Sequence, residues 1–106
     1  MLFRSFAHHF SRPASDYQGV NWRQGDLRDA ATVASIVEGM DVVIQAAATT
    51  SGSRDIVAVP HIHVTDNAVM NSLLLRACHD RGVRQFVFFS CSIMYAPRER
   101  PWREDE

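Results

Sequence analysis

The sequence predicts an α/β fold built on a parallel β-sheet, and three observations support this prediction. Segments with the pattern of strands alternate with segments that have the pattern of helices. Two of the strand segments are unbroken apolar runs, which are typical of parallel sheets. The 106 residues are 46% hydrophobic and 22% charged, which is the composition of one globular domain.

Two short strands are predicted in the first part of the chain. Residues 1–6 are mainly apolar, with one Arg, and predict a strand, and the Ser, Pro, Asp and Gly residues among 8–19 predict a loop. Residues 20–24 alternate between apolar and polar side chains. This alternation is typical of a strand with one solvated face, so we expect residues 20–24 near a sheet edge.

A helix and a buried strand are predicted next. Asp29 is a favoured N-cap residue, and the apolar residues of 30–38 recur at helical spacing before Gly39. This pattern predicts a helix over residues 30–38 that ends at the glycine. The apolar run within residues 41–45 predicts a strand that is covered on both faces.

The second half of the chain repeats this order. Residues 46–60 are small and polar and predict a long loop, and residues 64–80 predict a long helix. The predicted apolar stripe of this helix comprises Val69, Leu73 and Ala77. Residues 85–89 predict another buried strand, and residues 96–106 predict an irregular, solvated tail. Because one helix joins the strands of residues 41–45 and 85–89, we expect these two strands to be parallel neighbours.

Charge and composition exclude several classes of function. The formal net charge of −1 gives no electrostatic reason for binding nucleic acid or an acidic membrane. No apolar stretch reaches the roughly 20 residues that span a bilayer, and the N-terminal residues lack the apolar run of a secretory signal. We therefore expect a cytoplasmic protein. All 11 basic residues are Arg, which excludes a catalytic Lys within this sequence.

The histidines do not predict a metal site. They form two close pairs, His8 with His9 and His61 with His63. Residues two apart on a helix point to different faces, and no second cluster of Cys, His or acidic residues supplies the remaining ligands. We therefore expect no bound metal.

Residues that could carry chemistry follow three of the predicted strands. Ligands of open parallel sheets bind outside the carboxyl ends of the strands. The residues at these ends are Asp26 and Leu27, then Ala46, Ala47 and Ala48, and then Ser90, Cys91 and Ser92. The carboxylate can accept hydrogen bonds, the alanines let a flat ligand approach the backbone, and the last group supplies donors. The alternative is that these residues have structural roles only. Asp26 would then be a turn residue, the alanines would pack against a helix, and the Ser-Cys-Ser run would cap a strand.

Taken together, these segments resemble the extended short-chain dehydrogenase/reductases, the NAD-dependent epimerase/dehydratase enzymes that act mainly on nucleotide sugars. The resemblance runs from about residue 19 to Tyr95. It rests on Gly-Asp-Leu-Arg-Asp at 25–29, Val-Val-Ile-Gln-Ala-Ala at 42–47, Asn67, and Phe-Val-Phe-Phe-Ser-Cys-Ser-Ile-Met-Tyr at 86–95. It implies a partial doubly wound, Rossmann-like NAD(P)-binding domain over residues 1–106, with helices flanking a parallel sheet, and a nucleotide-sugar substrate.

The resemblance also implies roles for individual residues in cofactor binding. Asp26 would accept a hydrogen bond from the adenine amino group, and the backbone of Leu27 would meet the ring. The three alanines would line the pyrophosphate and ribose, and Ser90 would also contact the cofactor. Asn67, within the long helix, would brace the backbone of the active site.

By the same resemblance, the catalytic position falls on a cysteine. The family has a Ser or Thr four residues before the Tyr that follows the fifth strand, and here Cys91 stands four residues before Tyr95. A thiol is a weaker hydrogen-bond donor than a hydroxyl. Either Ser92 therefore orients the substrate oxygen, or this branch of the family uses Cys91.

Arg4 is the candidate for selecting the cofactor. If residues 1–6 correspond to the family's second strand, Arg4 would accommodate the 2′-phosphate of NADP, whereas an acidic residue would favour NAD. The alternative is a solvated Arg at a strand end. Both NAD and NADP remain candidate cofactors.

Two family motifs do not occur in the sequence, the Gly-x-x-Gly-x-x-Gly turn and the Tyr-x-x-x-Lys pair. The resemblance therefore implies an internal fragment of an epimerase/dehydratase/reductase, and we expect the isolated chain to be inactive. The alternatives are a non-catalytic dinucleotide-binding module and a protein-interaction module of the same fold. The family's first strand, at the centre of the sheet, would also be missing. We therefore expect a homo-oligomer or other self-association, unless residues 1–6 fill that position in a monomer.

Overall fold

The computed structural model describes residues 4–11, 18–50, 52–91 and 95–105. Within these residues the chain forms strands and helices in the order β1 (Ser5–His9), β2 (Val20–Gln24), α1 (Ala30–Val37), β3 (Val42–Gln45), α2 (Ser53–Ala58), α3 (Pro60–Asp80) and β4 (Gln85–Phe88). Residues 95–105 contain neither a helix nor a strand.

The strands form two parallel pairs. β1 pairs with β2, with Ser5 opposite Val20, and β3 pairs with β4, with Val42 opposite Gln85. The predicted parallel arrangement of the strands near residues 41–45 and 85–89 is confirmed. One cavity is lined by residues that follow β1, β2 and β3, so the carboxyl ends of both pairs lie on the same side. The architecture is the predicted α/β fold with parallel strands and flanking helices.

The boundaries of α1 agree with the predicted stop and start signals. The carboxylate of Asp29 accepts a hydrogen bond from the backbone N–H of Thr32 at 2.7 Å, which satisfies a donor of the first turn. Gly39 follows the helix with φ of +74°, a conformation that residues with a Cβ rarely adopt. Local chemistry therefore sets both ends of this helix.

The core lies between α1, α3 and one face of the strands. Its buried residues are Leu27, Val33, Val37, Met70, Leu74 and Cys78. Val43 of β3 and Phe86 of β4 pack against this cluster. Burial of these apolar side chains is the main favourable contribution to the stability of the chain.

β3 is covered on one face only, within the described residues, and the end of β4 is exposed. Val42 and Ile44 alternate with Val43 along β3 and are 47% and 62% exposed. Phe88, the last residue of β4, is 52% exposed although it lies on the same face as Phe86. The prediction that these strands are buried on both faces is therefore wrong here. The reason is that α1 and α3 both contribute to the core on the Val43 side, and no described element covers the other side.

The first strand lies further along the chain than predicted. β1 includes Ser5 and Phe6 of the predicted strand and continues to His8 and His9, which the sequence assigned to a loop. Residues 1–3 of the predicted strand lie outside the described residues. All five of its residues pair with β2, and this long-range pairing outweighs the local polarity of the histidines. Ser5 and Phe6 belong to this pairing with β2, whereas the alternative of a monomer would place them at the centre of the sheet.

Two helix boundaries also differ from the prediction. α2 lies within residues 46–60, which were predicted to form a loop, and α3 begins at Pro60, four residues before the predicted start. Proline fits the first turn of a helix because its missing N–H has no partner there in any case. Asp55 in the first turn of α2 also interacts favourably with the helix dipole.

The buried face of α3 lies one residue beyond the predicted stripe. Its buried residues are Met70, Leu74 and Cys78. Of the predicted stripe, Val69 is exposed, and Leu73 and Ala77 are half-buried. Both sets have the same four-residue spacing, so only the packing of α3 against α1 distinguishes them.

Candidate functional site

A cavity of about 680 Å³ lies at the carboxyl ends of β1, β2 and β3. It is lined by residues 8–11, 26–28 and 46–50, together with Asp66 and Met70 of α3. The structure therefore brings Asp26, Leu27 and the three alanines to one place, as the order of the strands predicted. The volume lies within the range of about 300–1,000 Å³ that is typical of ligand pockets.

Asp26 is held at the cavity by Arg28. The Arg28 backbone N–H donates to the Asp26 carboxylate at 2.9 Å, and the guanidinium donates to both carboxylate oxygens. These hydrogen bonds, together with the positive charge of Arg28, hold the pKa of Asp26 below its ordinary value. Asp26 is therefore a carboxylate at neutral pH and can accept hydrogen bonds from a ligand.

Arg28 also joins the end of β2 to α3. Its Nη1 donates to the carboxylate of Asp66 at 2.9 Å. The hydrogen bonds from the guanidinium to Asp26 and Asp66 raise the pKa of Arg28. The guanidinium carbon also lies 5.7 Å from the centre of the Phe10 ring. Two carboxylates and one cation thus border the cavity in a fixed arrangement.

Leu27 is one of the buried core residues, so its side chain holds the segment that carries Asp26 against α1 and α3. Gly25, at the start of the same segment, fixes it to β1. The Gly25 N–H donates to the His9 carbonyl at 3.1 Å, and His8 Nε2 lies 2.6 Å from the Gly25 carbonyl oxygen. The segment from 25 to 28 is therefore positioned from both sides.

The alanine loop, residues 46–48, is exposed at the cavity and is held by amide side chains. Gln45, the last residue of β3, bonds to both backbone groups of Ala47. Asn67 of α3 accepts from the N–H of Thr49 at 2.8 Å and donates to its carbonyl at 3.1 Å. Methyl side chains leave the backbone of this loop open to a ligand, and the amides determine its conformation.

A second, smaller cavity of about 250 Å³ lies between the alanine loop and the end of β4. Its lining includes Asn67, Asn71, Ser90 and Cys91. Cys91 is exposed, unlike Cys78, whose burial raises the pKa of its thiol. Ser92 lies outside the described residues. Ser90 and Cys91 thus line the same cavity as Asn67.

Arg4 is the one predicted site residue among the described residues that lies away from both cavities. It precedes β1, whereas the larger cavity lies at the carboxyl end of that strand. Five residues of a strand span roughly 17 Å. The structure therefore does not place Arg4 where it could meet a ligand at the carboxyl ends, because β1 lies further along the chain than predicted.

Several residues at the cavities were not predicted from the sequence. They are His8, His9, Phe10, Ser11, Arg28, Gln45, Thr49, Asp66 and Asn71. A signal existed for Gln45, because a polar residue that ends an apolar strand must find partners at the edge of the sheet. Whether Asp66 and Asn71 reach the cavities depends on which face of α3 is buried. The sequence pattern predicted a buried face that differs by one residue from the face in the structure.

No group of three or more potential metal ligands occurs among the residues that the structure describes. In the same residues, no helix has the length and the apolar character needed to cross a membrane.

Comparisons with known proteins agree with this geometry. A model of the NAD-dependent epimerase/dehydratase family matches residues 4–106. The structure of Pen from Bacillus thuringiensis is similar, with a TM-score of 0.60 and 25% identity over 69% of this chain. So is the DesIV double mutant (dTDP-glucose 4,6-dehydratase) from Streptomyces venezuelae with NAD and DAU bound, with a TM-score of 0.59 and 25% identity over 67% of this chain. The chain spans 22% of the length of each of these two structures. No curated protein matches the chain.

Proposed function

Because this chain belongs to the NAD-dependent epimerase/dehydratase family, we propose that its larger cavity binds the adenosine half of NAD or NADP. The observation that carries the proposal is the convergence of Asp26 and the alanine loop on one cavity at the carboxyl ends of parallel strands. Ligands of open parallel sheets bind at this edge.

The chemistry of the cavity fits this part of the cofactor. Asp26 is a carboxylate whose charge is stabilised by Arg28, so it can accept a hydrogen bond from the amino group of adenine. The alanine loop presents backbone with only methyl side chains, which permits the close approach of a ribose or pyrophosphate. Phe10 adds an aromatic face on the side of β1.

We propose that the smaller cavity lies on the side of the nicotinamide and the substrate. Ser90 and Cys91 would contact bound ligand there, with Asn67 holding the backbone of the intervening loop. Ser92 is the other proposed residue for orienting a substrate oxygen. The substrate class that we propose is a nucleotide sugar, in keeping with the family.

NAD or NADP supplies the acceptor or donor of a hydride when bound. For the reaction we propose hydride transfer between the nicotinamide and a sugar carbon, in an enzyme to which this segment contributes. The residues of this chain would bind the cofactor, orient it and hold a substrate oxygen. With no Lys in the sequence, we assign no lysine-assisted proton transfer to these 106 residues, and the proposal for the isolated chain is binding without turnover.

Isothermal titration calorimetry with NAD, NADP and ADP-ribose tests the proposal. Asp26→Ala should weaken the binding of each by roughly 10-fold or more, because a hydrogen bond to a charged group is lost. Asp41→Ala is the matched control, because Asp41 pairs with Arg84 on the surface and does not line the cavity. Equal loss of affinity in both variants, or no binding by the wild-type chain at millimolar ligand, would contradict the proposal.

A protein-interaction role is the second candidate function, and one observation favours it. β1 and β3 face each other across a cavity of about 440 Å³, and neither has a strand partner on that side within the described residues. Val42 and Ile44 are exposed at this cavity. Unpaired strand edges with apolar neighbours recruit other chains. The test of this candidate is the oligomeric state of the chain.

A further inference from the structure

Gln45 is the one polar residue that the structure buries fully among the described residues, with 4% of its surface exposed. A buried amide is costly unless its donors and acceptor have partners. Gln45 Nε2 donates to the Ala47 carbonyl at 3.0 Å and to Oδ1 of Asn71 at 2.9 Å, and Oε1 accepts from the Ala47 N–H at 3.2 Å. Both amide protons and the amide oxygen are therefore used.

These bonds close a ring between Gln45 and the alanine loop. Both backbone groups of Ala47 bond to the same side chain, which fixes the orientation of the peptide groups around Ala47. Asn71 in turn fixes the plane of the Gln45 amide, because the second proton of Nε2 is directed to its oxygen. Neither residue needs to touch a ligand to have this effect.

α3 thus holds the loop at two points, one helical turn apart. Asn71 acts through Gln45, and Asn67 bonds directly to Thr49. Residues four apart lie on the same face of a helix, so both amides reach the loop from one side of α3. A loop of exposed alanines has no side-chain packing of its own that could hold its conformation.

From this geometry we infer that Gln45 and Asn71 are positioning residues that pre-organise the alanine loop for the dinucleotide. The inference rests on the proposed function, which makes the loop part of the binding site. A loop that already has its bound conformation loses less conformational entropy when a ligand binds. The pair therefore raises the affinity for the cofactor by ordering the loop before the cofactor binds.

Two leucine substitutions test the inference. Gln45→Leu removes the three hydrogen bonds of the Gln45 amide, and Asn71→Leu removes only the bond to Asn71. Each hydrogen bond contributes a factor of roughly 2 to 10. We expect Asn71→Leu to weaken NAD binding by about that factor and Gln45→Leu to weaken it more. Amide hydrogen exchange at Ala47 in the free chain should accelerate in the same order.

Two further variants separate positioning from a general loss of stability. Asn71→Asp keeps an oxygen acceptor for Gln45 Nε2 and should restore both the affinity and the slow exchange at Ala47. Leu74→Ala removes a core side chain of the same helix and should lower stability while leaving the affinity of the folded chain unchanged. If Gln45→Leu does not fold, the contrast between Asn71→Leu and Asn71→Asp still decides.

The outcomes for the two proposals differ. If the wild-type chain binds NAD but both leucine variants bind it equally well, the positioning role is wrong and the proposed function stands. If affinity falls in Leu74→Ala as much as in Asn71→Leu, the amide pair is merely structural. If the wild-type chain binds neither dinucleotide, the proposed function fails and this role for the dinucleotide fails with it. If amide exchange at Ala47 is unchanged in Gln45→Leu, Gln45 does not order the alanine loop, and this result alone would overturn the inference.

Discussion

The Arg28 guanidinium donates to both oxygens of the Asp26 carboxylate, with Nε 3.0 Å from Oδ1 and Nη2 2.8 Å from Oδ2. The backbone N–H of Arg28 adds a further hydrogen bond to Oδ1. This chelating arrangement aligns the carboxylate at the rim of the larger cavity and still leaves it lone pairs, because each carboxylate oxygen can accept more than one hydrogen bond. Arg28 is thus the residue that orients the proposed adenine contact.

The first prediction concerns the titration of Asp26. Its pKa lies below the ordinary value of 3.8 chiefly because of the side-chain hydrogen bonds from Arg28. Arg28→Gln should therefore raise the pKa of Asp26 towards 3.8, as measured by NMR of the side-chain carboxyl carbon. Arg76→Gln is the control and should leave the pKa of Asp26 unchanged, because Arg76 pairs with Asp80 near the C-terminal end of α3. An unchanged Asp26 midpoint in Arg28→Gln would contradict the prediction.

The same shift has a consequence for acid stability. A carboxylate whose pKa is lowered by folding contributes stability that is complete above the unfolded value and is lost as the pH falls through the lower folded value. For Asp26 this window lies below about pH 3.8. In acid melts of the wild-type chain and Arg28→Gln, the difference in stability should therefore narrow as the pH falls through this window. A difference that stays constant across it would argue against the linkage.

The second prediction concerns Gly25. A Cβ at this position would overlap the methyl group of Thr32 in the first turn of α1. Gly25→Ala should therefore lower the free energy of unfolding by about 1–3 kcal/mol, and adding Thr32→Ser, which removes the methyl group, should recover most of the loss. Denaturant unfolding of the single and double variants measures both effects.

Gly52→Ala is the matched control for this substitution. Nothing lies within 4 Å of a Cβ at Gly52, and its φ of −67° is open to any residue. We expect a net change below about 1 kcal/mol, because the preference for Gly over Ala at an N-cap opposes the conformational entropy that Ala removes from the unfolded chain. The same loss at both glycines would show that steric overlap with Thr32 is not the cause.

The third prediction compares two adjacent leucines of α3. Leu74 is 3% exposed in the core, whereas Leu75 is 53% exposed. Leu74→Ala should cost about 2–5 kcal/mol because it removes buried methyl groups and leaves a cavity. Leu75→Ala should stay within about 0.5 kcal/mol. Thermal unfolding of the two variants measures both losses of stability. Similar losses would contradict the finding that Leu74, and not Leu75, lies on the buried face of α3.

The fourth prediction concerns self-association through the cavity between β1 and β3. The strand edges that border it lack strand partners within the described residues, and Ile44 is exposed beside them. We expect the apparent mass measured by light scattering to rise with concentration in the micromolar range. Ile44→Lys should reduce this rise, because a charge disfavours pairing at a strand edge. Val57→Lys, at an exposed position on α2, should leave it unchanged.

A monomer at every concentration, with a cooperative melt, would exclude self-association. It would favour the alternative in which residues 1–6 fill the cavity, for which Ser5 and Phe6 would have to leave their pairing with β2.

Local sequence patterns predicted α1, the two strands β3 and β4, and the parallel pairing of these strands. The cap at Asp29 and the glycine at 39 define α1 because they act on the backbone within one turn. The apolar runs around Val43 and Phe86 identified two neighbouring strands because parallel strands joined by a helix favour that pattern. The family resemblance placed Asp26 and the alanine loop at one edge of the sheet, where both are found.

The amino-acid sequence by itself determined the α/β class, the extent of α1 and the strand ends where polar and small residues accumulate, because each depends on spacing or on a neighbouring residue. Only the tertiary structure decided which face of α3 is buried, that Ile44 is exposed, and that Asn71 meets Gln45. These relationships join residues far apart in the chain. They depend on how helices and strands rotate to bury the most apolar surface, and a repeat of four residues fits neighbouring faces of a helix equally well.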